Sequence, residues 1–191
     1  MNRYLLTLLF ALLTLVGNVA VTRAADPVES DFYRIVTLPI PKEIVLEAGG
    51  IEVLPNNRVA VSTRRGEIWL IDNAFSDPPT DVKYKLFASG LHEVLGLSYR
   101  DGWFYVTQRC DVSRLKDTNG DDRADVFEVV NDGWEINGDY HEYAFGSPFD
   151  KNGNIWVVLC LTGSFNSSVK YRGWAVQITP DGKLIPTCSG V

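Results

Sequence analysis

GLSYRDGWFYVTQRCDVSRLKDTNGDDRADVFE, residues 96–128, decides the fold. Leu97 and Tyr99 alternate with polar neighbours and run into Asp101-Gly102, a dipeptide that favours a tight hairpin turn. Trp103 to Val106 is aromatic and β-branched, the composition of a half-buried strand. Val112 to Leu115 makes a third strand, and an acidic loop follows from Asp117 to Glu128. The pattern is strand, turn, strand, turn, strand.

The pattern recurs. GIEVLPNNRVAVSTRRGEIWLID covers residues 50–72, GSPFDKNGNIWVVLCL covers 146–161, and WAVQITPDGKL follows at 174–184. Gly50, Gly96 and Gly146 stand 46 and 50 residues apart, and the turn residues Asn57, Gly102 and Gly153 keep steps of 45 and 51. A repeat of this length, built from several short strands, is the signature of a β-propeller blade. The expected fold class is all-β. About three four-stranded blades are expected, near residues 44–90, 91–140 and 141–191, with Gly50, Gly96 and Gly146 opening equivalent inner strands. Propellers close with four to eight blades, so the chain is read as a fragment of a larger ring. Ahead of the first blade, Phe32 to Leu38 reads as an extended strand ended by Pro39 and Pro41.

Residues 1–24 read as a secretory signal peptide. Arg3 precedes the apolar run LLTLLFALLTLV, and small residues follow at Ala24-Ala25. Twelve apolar residues are short for a membrane span. The partial propeller is therefore expected to occupy 25–191 and to work outside the cytoplasm, secreted or periplasmic. The formal charge is −6. An acidic surface repels a phosphate backbone, so no nucleic-acid partner is expected. Cys110, Cys160 and Cys188 are odd in number; one pair can bridge in an oxidising compartment, and burial as small apolar side chains is the other reading.

The acidic loop carries the most specific local signal. With Asp117 as position 1, Asn119 falls at 3, Asp121 at 5, Asp125 at 9 and Glu128 at 12, the ligand spacing of a calcium loop. Asp122 stands at position 6, where glycine normally makes the turn. The same residues also fit a solvated acidic turn between blades.

His92, in GLHEVLG, reads as a surface or packing residue. His141, in GDYHEYAFG, follows a glycine-rich connection, where a propeller mouth places active groups. Asp139 and Glu142 flank it and are candidates to orient its imidazole. Arg64 and Arg109 each end a second strand, in STRRG and TQRC, and repeated arginines at one rim can meet an anion.

Together these residues resemble the soluble quinoprotein glucose and sorbosone dehydrogenases. Ser62-Thr63-Arg64-Arg65-Gly66 stands where that family has a Thr-Glu-Arg-x-Gly-like segment, and His141 followed by FGSPFDKNGNIWV is similar to its histidine segment and turn. The resemblance implies a six-bladed ring, pyrroloquinoline quinone and calcium as cofactors, a sugar or alcohol substrate, His141 as general base and Arg64 or Arg109 at the quinone. The mature chain also resembles the N-terminal propeller part of large secreted planctomycete proteins described as membrane-bound dehydrogenases, which implies a cytochrome c domain further along a longer gene. The family's Gly-Arg pair after the histidine is replaced here by Glu142-Tyr143-Ala144. The calcium loop at Asp117 is not part of the family pattern. A non-catalytic secreted propeller that binds carbohydrate or a partner protein is the alternative.

Overall fold

The computed structural model describes residues 25–136, 138, 140–161 and 169–190. The signal-peptide reading of residues 1–24 and the candidate Asp139 lie outside the described residues. Two compact units divide at residues 35 and 36. The described part of the first carries one 3-10 turn, Glu29–Asp31, closed by the Val28 amide donating to the Asp31 carboxylate. The strand expected at 32–38 does not form: none of those residues enters a sheet. Phe32 to Leu38 has apolar side chains but no ladder partner for its backbone.

The described part of the second unit holds three four-stranded antiparallel sheets. Blade 1 is β1 (Ala48–Val53), β2 (Val59–Thr63), β3 (Ile68–Asp72) and β4 (Lys83–Ala88). Blade 2 is β5 (Gly96–Arg100), β6 (Trp103–Thr107), β7 (Val112–Lys116) and β8 (Val126–Asn131). Blade 3 is β9 (Ala144–Phe145), β10 (Ile155–Leu159), β11 (Trp174–Ile178) and β12 (Leu184–Ser189). Within each sheet the strands neighbour one another in chain order. These are successive blades of the β-propeller type, as the repeat predicts.

The two-residue period of the strands builds two cores from one sheet. Phe104, Val106 and Leu115 of blade 2 join Leu54, Ala60, Ile68, Leu70 and Phe87 of blade 1. Tyr105 and Val112, on the opposite face, join Trp134, Ile155, Val157, Leu159, Val176 and Ile178. Blade 2 is thus buried on both faces, which explains the apolar density of WFYV.

The inner strands approach too closely for side chains. A Cβ on Gly96 would stand 1.5 Å from the Gly146 carbonyl oxygen, and one on Gly50 would stand 2.8 Å from the Leu97 Cβ. Hydroxyls close the same seams: Ser62 donates to the Val94 carbonyl at 3.2 Å and Ser98 to the Ser147 carbonyl at 2.7 Å. The repeating glycines therefore mark blade-to-blade contact. They do not all open strands. Gly96 opens β5, Gly50 is the third residue of β1, and Gly146 lies just past β9. Gly146 has φ +90° and Pro148 lacks an amide donor, so the third inner strand breaks there and pairs with β10 again at the bridge Phe149–Ile155, where the Trp156 amide donates to the Pro148 carbonyl at 3.0 Å.

Gly96→Ala is expected to cost about 3 kcal/mol, the upper end for overpacking, since backbone and not a flexible side chain must yield. Chemical denaturation of the variant beside the parent measures this; equal midpoints would refute the seam.

Candidate functional site

The acidic loop docks one blade on the next. Asp122 takes φ +66°, the left-handed region that aspartate tolerates better than most residues, and so replaces the expected glycine. Its side chain turns to blade 1. Arg58 Nη1 donates to Asp122 Oδ1 at 2.6 Å while Arg58 Nε sits 2.5 Å from Asp72, and Lys85 pairs with Asp122 Oδ2. Ala124 donates its amide to the Phe87 carbonyl at 2.8 Å and packs against the first core. Hydrogen bonding from Arg58, then from Lys85, holds the Asp122 carboxyl below the usual carboxylate range.

The donors expected to converge on calcium are each engaged within the chain. Asp117 accepts the amides of Asn119, Gly120 and Asp122, and Asn119 and Asp121 cap the amides two residues on. Asp125 accepts from the Thr118 hydroxyl and amide. Glu128 is not a loop residue: it lies in β8, where the ladder sets it opposite Arg114, and the two pair at 2.6 Å. Among the described residues no three His, Cys, Asp or Glu side chains form a group that could hold a metal. To bind calcium, Asp125 would have to leave Thr118 and Glu128 would have to leave Arg114.

The arginines, by contrast, meet. Arg64 follows the last residue of β2, and Arg109 lies two past the end of β6. Between them stands Glu93, from the β4–β5 connection. Arg64 Nε lies 3.3 Å from Glu93 Oε1 and Arg109 Nη1 lies 3.4 Å from Glu93 Oε2. Arg64 Nη2 donates to the Tyr143 hydroxyl at 2.9 Å and to that of Tyr140 at 3.3 Å. The Tyr143 ring lies 5.7 Å from the Arg64 guanidinium carbon and 5.5 Å from that of Arg109. Hydrogen bonding to Tyr140, then to Glu93, raises the Arg64 pKa, and the same contact lowers that of Tyr140. Burial, first, raises that of Tyr143.

His141 is exposed at the same rim, its ring edge-on to Tyr140 with centroids 5.0 Å apart. Glu142, the next residue, is fully buried. Beneath, Arg172 is 6% exposed and donates to the carbonyls of Glu135, Tyr143 and Arg109 at 3.0–3.3 Å. Burial lowers its pKa, against the attraction of Glu142. Arg172 thus fixes the backbone that presents both Arg109 and Tyr143.

Sequence reading paired Arg64 with Arg109 and placed His141 at a mouth. It passed over Glu93, Tyr140, Tyr143 and Arg172. The aromatic residues flanking His141 in DYHEY were a readable signal; Glu93 and Arg172 carried none. His92 is exposed, its backbone amide bound by the Gln108 side chain. Cys110, Cys160 and Cys188 are free thiols, the first two half-buried and the last exposed. A separate hollow of about 480 Å³ lies at Arg58, Asp72, Asn73 and Phe75, away from the arginine cluster.

No family model and no curated protein matches this sequence. Solved structures do. A Thermus thermophilus protein described as an oxidoreductase (glucose dehydrogenase) matches with TM-score 0.56 and 19% identity, over 72% of this chain and 46% of that one. A protein described as a gluconolactonase matches with TM-score 0.51 and 15% identity, over 75% of this chain and 49% of that one. The chain spans about half the length of each. At these identities the likeness shows the fold: a β-propeller.

Two outcomes are expected of the loop. Replacing chelator by calcium leaves the melting temperature unchanged in calorimetry; a rise would mean that Asp125 and Glu128 leave Thr118 and Arg114 for the cation. Asp122→Asn costs about 1–2 kcal/mol at neutral pH. Because the folded-state pKa of Asp122 is depressed, its contribution is complete above the unfolded value, about 3.9, and is lost as pH falls through the folded value. Denaturation from pH 7 downward should show parent and variant converging in acid; a constant gap would refute the clamp.

Proposed function

We propose that the chain is part of an extracytoplasmic sugar or alcohol dehydrogenase-like propeller, with pyrroloquinoline quinone as its cofactor. The observation that carries this reading is the meeting of Arg64 and Arg109, from successive blades, beside His141 at one rim. The glucose dehydrogenase description of a fold neighbour supports it. Exposed Ile51 and Val53 on β1, and Val158 on β10, face away from the two cores, where further blades of a longer protein would pack. The planctomycete resemblance, secretion through residues 1–24 and a downstream cytochrome c domain belong to the same proposal. No helix among the described residues is long and apolar enough to cross a membrane.

The quinone, when bound, supplies the two-electron acceptor. Its carboxylates and oxygens are anionic or electron-rich, and two neighbouring guanidiniums with phenol donors fit that chemistry. The chain's own task is narrower. A ring nitrogen of His141 takes the proton of the substrate hydroxyl as hydride leaves the same carbon. The exposed Tyr140 ring offers an apolar face for a sugar, and Arg172 keeps the rim backbone rigid.

A second reading, a carbohydrate-binding or partner-binding propeller without catalysis, is favoured by Tyr140 itself. It is 61% exposed beside Arg64, an arrangement that binds a polyol without any acid–base step.

The protein carrying this chain, reconstituted with the quinone and assayed on aldoses with an artificial electron acceptor, decides between them. His141→Ala is expected to lower turnover on the order of a hundredfold. Full turnover in that variant would remove His141 from the chemistry. Oligosaccharide binding without quinone binding or turnover would establish the second reading.

A further inference from the structure

The two rim arginines already hold a carboxylate, and it belongs to the protein. Glu93 gives one oxygen to Arg64 and the other to Arg109. We propose that Glu93 is an internal stand-in for a ligand, and that the seat between Arg64 and Arg109 takes a carboxylate-bearing compound in its place. This rests on the rim being the ligand site of the function proposed above, and narrows what it accepts to an anion.

Geometry makes the seat exchangeable. The contacts, 3.3 and 3.4 Å, are longer than the roughly 2.7–2.9 Å of a strong charge-assisted bond. A free carboxylate can settle against the guanidinium fork with both oxygens, the arrangement arginine favours. The Arg64 side chain is 43% exposed, so a ligand reaches it from solvent.

Backbone conformation points the same way. Glu93 has φ +48°, a region that non-glycine residues seldom enter. The carboxylate is thus delivered from a strained residue rather than a relaxed one. Charge agrees as well. Arg64 and Arg109 both face the one Glu93 carboxylate, in a chain whose net charge is −6. Two guanidiniums at one seat attract an acid. On exchange the ligand carboxylate accepts from Arg64 Nε and Arg109 Nη1, while Glu93 swings into water. No bond is made or broken.

The shared chemistry has two sources: a sugar acid, with its polyol against the Tyr140 ring, or the carboxylates of the quinone. Titration calorimetry on the protein carrying this chain, at matched ionic strength, separates them, with sodium gluconate, pyrroloquinoline quinone and neutral glucose as three arms. Glu93→Gln removes the competing charge and keeps the shape. It is expected to tighten binding of gluconate, of the quinone, or of both by about tenfold, with glucose unchanged. The arm that gains identifies the source. Glu93→Gly, which suits φ +48° better than glutamate does, should show the same gain and guards against misfolding of the amide variant. Adding Arg64→Gln to either should abolish the gain. Equal or weaker binding of both carboxylates by the Glu93 variants, an equal gain for glucose, or no carboxylate binding by any form would overturn the proposal. Turnover measured separately through His141 keeps the two readings distinguishable: a carboxylate gain without turnover sinks only the dehydrogenase, and turnover without the gain sinks only the exchange.

Discussion

Backbone approach between inner strands is the constraint on which the rest depends. Where Gly96 meets the Gly146 carbonyl there is no room for even one methyl group. That closeness lets blade 2 bury both of its faces, Phe104 and Val106 on one side and Tyr105 on the other. A wider seam would leave either cluster open to water, and apolar burial is the main favourable term in such a fold. The same closeness sets the ends of β2 and β6 near one another, so that arginines from two blades can share one glutamate.

This explains why the period was legible in the sequence. Glycine at these positions is dictated by distance, turns such as Asp101-Gly102 by dihedral angle, and alternation along WFYV by two-sided burial. Each is a local requirement that repeats with the blade, so spacing alone exposed it. The third blade departs because Gly146 and Pro148 interrupt its inner strand, and a period counted on glycines cannot see which glycine opens a strand and which one breaks it. Residues 32–38 show the converse. Their apolar pattern is that of a strand, but a strand exists only where a neighbouring backbone offers a ladder.

The candidate site was legible in part, for a related reason. Arg64 and Arg109 belong to the repeat, and aligning the blades brought them together. Glu93 and Arg172 stand outside it, in connections whose conformation depends on tertiary contact: a positive φ at Glu93, and three carbonyls converging on Arg172. The acidic loop shows what spacing leaves out. Positions 1 to 9 fit a calcium loop, but Glu128 at position 12 had already entered β8, where a cross-strand partner, Arg114, claims it. Counting residues along a chain says nothing of where a strand begins.

The departure from the calcium pattern at position 6 carried more information than the matches. Glycine there would satisfy the left-handed turn at no steric cost. Aspartate satisfies it less well, yet its carboxylate reaches Arg58 and Lys85 on the preceding blade. Glu93 follows the same logic at the other rim: a charged residue in a conformation that suits glycine, its carboxylate directed at arginine. The two differ in how firmly they are held. Asp122 meets Arg58 at 2.6 Å and has Lys85 as well, whereas Glu93 is spread between two guanidiniums at 3.3 and 3.4 Å, one of them open to solvent. The first geometry locks blades together. The second holds a carboxylate by longer contacts, one of them to a side chain that solvent reaches.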